Sequence, residues 1–242
     1  MSRRLGIPIL AYHFIGDQKA GERDPYTTSA AEFRWQLRLL RYLGYTSVGV
    51  GEVLSITAGA SDGPRWPVVI SFDDGHASFY ERAAPALQDY GFSAINFVVS
   101  DWIGRQGYMG WGELRALAKA GFEVGSHSTS HPVLPRLGPE EEWREVAHSK
   151  EVLEEGLGRE VGFFAYRGGH YERRTRETVR RAGYRAAVSS DRGLNTPRTD
   201  CYALRRMSIR HGDMRRHLLR KLSGNRAGGQ TAAIVGHLLG KW

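Results

Sequence analysis

Short apolar runs recur at regular intervals along the chain, and this recurrence is the feature that most constrains the fold. The runs at 8–12, 46–50, 66–72, 93–100 and 122–126 are rich in β-branched or aromatic residues, which is typical of buried strands. Three further runs of the same kind follow later in the chain: EVGFFAY, YRAAVSS and YALRRMSI. Their short length and regular spacing indicate strands of a single sheet.

Amphipathic stretches separate the apolar runs, and most of these stretches end at a glycine, as helices often do. Ser29 and Glu32 form a capping box at the start of the first stretch, and the segments at 78–90 and 139–157 carry apolar residues at helical spacing. Strands that alternate with helices pair in parallel. The pattern therefore predicts an α/β fold.

The number of predicted strands and the chain length together favour one parallel architecture. About eight strands in 242 residues, without a glycine-rich nucleotide-binding loop, fit a closed barrel better than an open doubly wound sheet. We predict a single-domain, distorted (β/α) barrel of about seven or eight parallel strands over residues 1–222. Residues 223–242 begin with many glycines and are predicted to form a poorly ordered C-terminal tail.

Charge and cysteine content exclude some classes of protein. The single cysteine, Cys201, allows neither an internal disulfide nor a multi-cysteine metal cluster. The net charge of +8 favours contact with anionic polymers, but no nucleic-acid-binding motif accompanies it. We therefore expect no nucleic-acid partner and interpret the charge as an arginine-rich, solvated surface. The oligomeric state stays open.

The N-terminal sequence MSRRLGIPILAYHFIG combines positive charge with an apolar run, as signal peptides do. The run is short, contains Tyr12 and His13 and lacks a small-x-small cleavage site, so we interpret it as a strand. No segment approaches the roughly 18 apolar residues of a membrane-spanning helix. For the chain as given, we expect no signal peptide, no membrane span and a cytoplasmic location.

Two groups of polar side chains follow the ends of predicted strands. Asp73 and Asp74 come directly after one apolar run, and His127 and His131 follow another. Catalytic groups of barrel enzymes lie at the carboxyl ends of the strands. Two neighbouring carboxylates repel each other and are costly to bury, and a divalent cation offsets that cost.

Together the two groups indicate a catalytic metal site. Two histidines and one aspartate leave coordination positions open for water and substrate, and the other aspartate is free to act as a general base. Each motif alone has a simpler interpretation, because an Asp-Asp pair often only caps a turn and an H-x-x-x-H spacing is often incidental. Their occurrence about 50 residues apart in one β/α chain favours the metal site.

The SFDDG and HSTSH segments resemble the first two motifs of the polysaccharide deacetylases, the NodB-like members of carbohydrate esterase family 4. The opening ILAYHFIG resembles the branch that deacetylates poly-N-acetylglucosamine, and FAYRGG lies where the third motif is expected. The resemblance extends from about residue 8 to 222. It implies a NodB-like barrel, an N-acetylated glycan substrate and a divalent metal cofactor, namely zinc, with cobalt or nickel as alternatives.

The resemblance also implies a role for each residue of the first two motifs. Asp73 would be the general base, while Asp74, His127 and His131 would bind the metal. Water held by the metal would attack the acetamide and release acetate. The hydroxyl of Ser128 or Thr129 would help to set the loop between the two histidines.

The general acid that protonates the leaving amine has two candidates. In the wider family the acid is a histidine near the C-terminus, here His237. In the poly-N-acetylglucosamine branch it is the histidine of the opening motif, here His13. We prefer His13, because it follows the first predicted strand at the catalytic edge of the barrel. A structural histidine at position 13, or a residue of a loose tail at 237, is the simpler alternative.

Four further residues are candidates for substrate binding, and two of them depart from the family pattern. Arg167 and Gly168 stand where related sequences have proline and an aromatic residue. Glycine keeps the backbone N–H that would donate to the oxyanion, but the aromatic wall beside the sugar is lost. Arg167 could orient Asp73, meet an acidic substrate or be a surface residue. Tyr171 completes the third-motif region.

Aromatic residues in the loop after the strand at 93–100 are the remaining candidates. Trp111, together with Trp102 and Tyr108, either stacks on sugar rings or packs in the core.

Three functions fit these patterns. The first is a metal-dependent N-deacetylase acting on an amino-sugar polysaccharide or glycoconjugate. The second is a hydrolase of another linear or cyclic amide with the same metal site, which Gly168 keeps open. The third is a non-catalytic carbohydrate-binding module, and Asp73 argues against it because binding requires no general base.

Overall fold

The computed structural model describes residues 6–17 and 24–223. The predicted tail lies outside the described residues except for Ser223, and so does His237. The strands are β1 (Ile9–Tyr12), β2 (Phe14–Ile15), β3 (Thr27–Thr28), β4 (Thr46–Ser47), β5 (Pro67–Phe72), β6 (Ile95–Val98), β7 (Glu123–Ser126), β8 (Phe163–Ala165), β9 (Ala186–Val188) and β10 (Met207–Ser208). The helices are α1 (Ala30–Tyr42), α2 (Val50–Thr57), α3 (Ala84–Asp89), α4 (Trp111–Lys119), α5 (Pro139–Leu157), α6 (Arg173–Arg181) and α7 (Arg215–Leu222).

Eight of these strands form one parallel sheet. Its order is β10-β1-β5-β6-β7-β8-β9, with β4 pairing beside β5, while β2 and β3 form a separate two-stranded sheet. Leu204 forms a parallel bridge with Val188 of β9, and β10, which follows shortly after, pairs with β1. The segment from 204 to 208 therefore joins the two ends of the sheet. This architecture confirms the predicted distorted (β/α) barrel.

Side chains along each strand alternate between the barrel interior and the surrounding helices, because successive residues of a strand point to opposite faces. Ile9 and Val69 belong to a buried cluster with Phe97 inside the barrel, whereas Leu10 and Ile70 pack against the helical layer. This alternation continues past the ends of the strands. The residues beyond β1, β5 and β7 that continue the inward-facing positions are therefore directed toward the barrel axis.

The helices agree with the predicted segments in most cases, with three exceptions. The run at 46–50 forms a strand only as far as Ser47, and Val50 begins the unpredicted helix α2. The segment predicted as one helix over 78–90 is a π-helical turn, Phe79–Ala83, followed by α3. Helix α7 was also not predicted. Among the described helices, none combines the length and the hydrophobicity that crossing a bilayer requires.

Candidate active site

The end of β5 directs its two aspartates to different places. Asp73 continues the inward row of β5, its backbone N–H donates to the Tyr12 carbonyl at 3.1 Å, and its side chain is almost fully buried. Asp74 has a left-handed backbone, with φ of 74°, so the chain turns sharply at this residue. One carboxylate thus enters the barrel while the other lies at its rim.

Asp74, His127 and His131 form a compact cluster at this rim. The Asp74 Oδ1 atom lies 3.6 Å from His127 Nε2 and 3.5 Å from His131 Nε2. One ligand atom from each residue lies within 4.8 Å of the others. Ligand atoms about 2.1 Å from one tetrahedral ion are about 3.4 Å apart, so these distances fit a zinc-sized cation. The predicted ligands are brought together, while metal binding itself stays a prediction.

Hydrogen bonding and burial prepare both imidazoles for a metal. The Nδ1 atom of His127 lies 2.7 Å from the Ala165 carbonyl oxygen and donates to it, so Nε2 is the nitrogen that faces Asp74. Burial and the neighbouring His127 lower the pKa of His131 to about 4, against the opposing charge of Asp74. His131 is therefore neutral near pH 7, as a metal-ligating histidine must be.

Asp74 and the loop that carries the two histidines have unusual backbone conformations. Asp74, Ser128 and His131 are the non-glycine residues with left-handed φ within residues 6–17 and 24–223, and all three lie at this cluster. Such residues cost about 1–3 kcal/mol each and tend to occur at functional sites. The Ser128 hydroxyl accepts a hydrogen bond from the His131 backbone N–H at 3.1 Å. This contact agrees with the predicted role of Ser128 in setting the loop.

Glu145 of α5 holds the middle of the same loop. Its carboxylate accepts hydrogen bonds from the Thr129 backbone N–H at 3.0 Å, the Ser130 backbone N–H at 2.8 Å and the Ser130 hydroxyl at 2.6 Å. The Thr129 hydroxyl donates to the Glu145 backbone carbonyl at 3.1 Å. Sequence reasoning missed Glu145, because it is one of several glutamates on the polar side of a long helix.

Asp73 forms a buried, bidentate ion pair with Arg206. The two guanidinium Nη atoms donate to the two carboxylate oxygens at 2.7 and 2.8 Å, and the side chains are 2% and 5% exposed. Burial alone would raise the pKa of Asp73, but the charge of Arg206 and the hydrogen bonds from Arg206 outweigh it. The pKa of Asp73 therefore lies well below its usual range, and the carboxylate stays ionised.

Arg206 is a site residue that sequence reasoning missed, and its position corrects one interpretation of Arg167. Arg206 lies just before β10, on the inward row, whereas Arg167 is exposed in a short turn after β8. The arginine that orients Asp73 is thus Arg206. An arginine inside the apolar run YALRRMSI was the available signal, because a charged residue that faces a barrel interior needs a buried partner.

His13 lies across from Asp73 at the end of the neighbouring strand. Its Nε2 atom is 4.0 Å from Asp73 Oδ2, and its side chain is 21% exposed. Its buried Nδ1 atom has no hydrogen-bond partner among the described residues. Burial lowers the pKa of His13, although the charges of Asp73 and Asp74 oppose the shift. His13 is therefore neutral near pH 7 and open to the same space as Asp73.

The third-motif residues lie in the turn that follows β8. Gly168 has φ of 59°, a left-handed conformation that glycine adopts without strain. Tyr171 stacks on Tyr166, with ring centroids 5.1 Å apart, and its hydroxyl donates to Asp191 at 2.7 Å. Substrate binding by these residues stays a prediction.

Trp111 packs against α5. Its six-membered ring lies directly against Gly156, where an added Cβ would overlap it, and Arg115 stacks over the ring at 5.8 Å. These are the contacts of a packing residue, which is the alternative that the sequence left open. Its predicted role in substrate binding gains no support from them.

Trp102 and Tyr108, in contrast, lie beside the metal cluster. The Trp102 ring packs edge-on against His131 at 4.9 Å and lies 4.9 Å from Tyr108, which stacks on His76 at 4.7 Å. The pKa of Tyr108 is raised, first by burial and then by the charge of Asp74. These rings form an aromatic border along one side of the cluster.

Comparison with known proteins agrees with this architecture. A family model for the polysaccharide deacetylases matches residues 60–187. YxkH of Bacillus subtilis (strain 168), whose name assigns it to the polysaccharide deacetylases, is 27% identical over 206 residues, which cover 85% of this chain and 72% of that protein. The poly-beta-1,6-N-acetyl-D-glucosamine N-deacetylase of Escherichia coli (strain K12) is 27% identical over 139 residues, which cover 51% of this chain and 20% of that protein.

A solved structure shares the whole fold. The Streptococcus pyogenes deacetylase PplD, in complex with acetate, superposes with a TM-score of 0.85 at 24% identity and covers 90% of this chain and 98% of that one. The segment that matches the family model is more than half of the 242 residues. The chain therefore belongs to the polysaccharide deacetylase family.

Proposed function

We propose that this protein is a metal-dependent N-deacetylase that removes acetyl groups from an amino-sugar polysaccharide or glycoconjugate. The observation that carries the proposal is the Asp74–His127–His131 cluster, whose three ligand atoms lie within 4.8 Å of one another beside the buried Asp73. The name of the similar Escherichia coli enzyme makes β-1,6-linked N-acetylglucosamine the first substrate to test.

The cluster suits zinc, with cobalt or nickel as alternatives, because two imidazoles and one carboxylate are ligands that these ions accept. When bound, such a cation supplies Lewis-acid chemistry: it polarises the acetamide carbonyl and lowers the pKa of a water molecule. Asp74 contributes the negative charge of the ligand set. The Ala165 carbonyl fixes the orientation of the His127 ring through the 2.7 Å hydrogen bond.

Asp73 and His13 then divide the proton transfers between them. Each Asp73 oxygen accepts one hydrogen bond from Arg206 and keeps a lone pair to receive a proton from the attacking water. Because its pKa is depressed, a protonated Asp73 readily gives the proton up. His13, with Nε2 4.0 Å from Asp73 Oδ2, receives it and donates it to the leaving amine. The water proton thus ends on the nitrogen of the product.

One feature favours a second substrate class. Arg167 and Gly168 are exposed and place no aromatic wall at the third-motif turn, so another linear or cyclic amide could reach the same cluster. The metal chemistry and the roles of Asp73 and His13 would be unchanged.

The decisive experiment measures acetate release from N-acetylglucosamine oligomers by the zinc-loaded protein. We expect turnover in the wild type and its loss in Asp73→Asn, which keeps the shape of the side chain but cannot act as a base. Zinc content is measured in both proteins, so that lost activity is not confused with lost metal. A zinc-loaded wild type that is inert on N-acetylated glycans but cleaves simple amides or imides would favour the second class.

A further inference from the structure

A cationic cavity of about 280 Å³ lies between the loop after β9, the end of β10 and helix α7. None of its lining residues belongs to the candidate active site. Four basic side chains, one carboxylate and one imidazole line it: Arg192, Arg210, Arg220, Lys221, Asp213 and His217. Four positive charges against one negative charge leave this lining with a net charge of +3.

The three arginines of the cavity have no acidic partner among the described residues. The ion pairs that described arginines do make involve Arg34, Arg174, Arg176, Arg180 and Arg206. The single carboxylate is already engaged, because Asp213 pairs with Lys221 and accepts the Arg210 backbone N–H at 2.7 Å. Within residues 6–17 and 24–223, the guanidinium donors of the cavity therefore meet no carboxylate.

The cations are close enough to influence one another. Burial lowers the pKa of Lys221; Asp213 opposes this shift, and the charges of Arg210 and Arg192 add to it. Like charges held together in a cleft focus a positive potential and attract anions.

The position of the cavity relates it to the active site. Ser208 pairs with Ala11, two residues before His13, and Arg210 lies two residues beyond Ser208. Because β10 and β1 are parallel neighbours, about 4.8 Å apart, Arg210 and His13 follow adjacent strands at the same edge of the barrel. The cavity therefore lies at the same edge of the barrel as the candidate active site.

We propose that this cavity binds a phosphate group carried by the N-acetylated glycan substrate. The proposal rests on the deacetylase function proposed above and narrows its substrate class to anionic glycans. Guanidinium groups bind phosphate through paired N–H···O hydrogen bonds, and three of them around one cavity suit a group with several acceptor oxygens better than a carboxylate with two.

The first test measures the binding of inorganic phosphate to the full chain by calorimetry, with and without one equivalent of zinc. We expect phosphate to bind in both cases, more tightly than acetate and more weakly at high ionic strength. The Arg210→Gln/Arg220→Gln variant should bind at least tenfold more weakly. The matched control, Arg38→Gln/Arg41→Gln, removes the same charge from exposed positions on α1 and should bind like the wild type.

Two results of this titration would overturn the proposal. Equal phosphate affinity in the cavity variant and the control variant would show that the cavity is not the site. Binding only in the presence of zinc would show that phosphate occupies the metal centre. Equal melting temperatures of the two variants establish that both are folded.

The second test compares KM for N-acetylglucosamine oligomers with and without a phosphate ester. We expect KM to be about tenfold lower for the phosphorylated oligomer, and this ratio to approach one in Arg210→Gln/Arg220→Gln. A ratio of one in the wild type would contradict the assignment. If neither oligomer releases acetate, the proposed deacetylase function fails, while the phosphate titration still decides whether the cavity binds anions.

Discussion

At the scale of single residues, the Asp73–Arg206 pair is the feature with the largest energetic consequence. Both side chains are at most 5% exposed and satisfy each other through two hydrogen bonds. A buried ion pair of this kind is worth little compared with a well-packed apolar pair, but removing one partner leaves an uncompensated charge. The arginine therefore keeps Asp73 both ionised and fixed in position.

Replacing Arg206 by Met should destabilise the protein by about 3–5 kcal/mol, because the Asp73 charge is left buried without a partner. The measurement is urea-induced unfolding at pH 7. The double variant Arg206→Met/Asp73→Asn, which removes both charges, should recover most of this loss. A single variant within about 1 kcal/mol of the wild type would contradict the account.

The same pair predicts a dependence of stability on pH. The pKa of Asp73 is depressed in the folded state, so the pair stabilises the fold above the ordinary aspartate pKa of about 4. That contribution is lost as the pH falls from about 4 toward the folded-state pKa. In Arg206→Met the pKa of Asp73 should rise. The decrease in folding stability that comes from protonating Asp73 should then disappear from denaturation curves recorded between pH 5 and 2.

His13 is the second residue whose role can be isolated. The change His13→Gln should lower kcat for acetate release by about 10²–10⁴-fold, as the loss of a general acid does, without changing zinc content. His148→Gln is a matched control, because His148 is on the exposed side of α5 with 59% of its side chain exposed. The competing assignment is tested by His237→Gln. A large loss in that variant and none in His13→Gln would reverse our choice.

At the scale of elements, the metal-binding loop depends on α5. Glu145 connects this helix to the Thr129 and Ser130 backbone N–H groups, and no other described side chain accepts hydrogen bonds from those two groups. Glu145→Ala should lower zinc affinity by about 10–100-fold, because the loop that carries His131 is no longer held in position. Competition with a chromogenic chelator measures the affinity. Glu151→Ala, on the same helix with 76% of the side chain exposed, is the control and should bind zinc normally.

At the scale of the whole molecule, bound zinc should cross-link the ends of β5 and β7 and so stabilise the fold. Free zinc at about 100 times its Kd should add about 2.7 kcal/mol of stability, which corresponds to a rise in Tm of roughly 5–10 °C for a domain of this size. Differential scanning calorimetry with and without zinc checks this, and a chelator should reverse the shift. If zinc raises the Tm of His131→Ala by the same amount, the stabilising ion binds elsewhere in the molecule.

The sequence by itself determined the parallel barrel and the position of the first two motifs. Both follow from local rules, since alternating strands and helices dictate parallel pairing, and polar residues at strand ends meet at one edge. Asp73, Asp74, His127 and His131 could be singled out because each follows an apolar run that was recognisable without its neighbours.

Only the tertiary structure decided which distant residues complete the site. Arg206 reaches Asp73 across 133 residues of chain, and closing the barrel selects it from 34 lysines and arginines. Helix α2 begins where the Val50 N–H donates to Glu123 of β7 at 3.2 Å, a cap contributed from 73 residues away. Glu145 and Trp111 likewise owe their contacts to how α5 packs. Hydrophobic periodicity predicts whether a residue faces the core or the solvent. The residue that it contacts there depends on how the helices and strands pack in three dimensions.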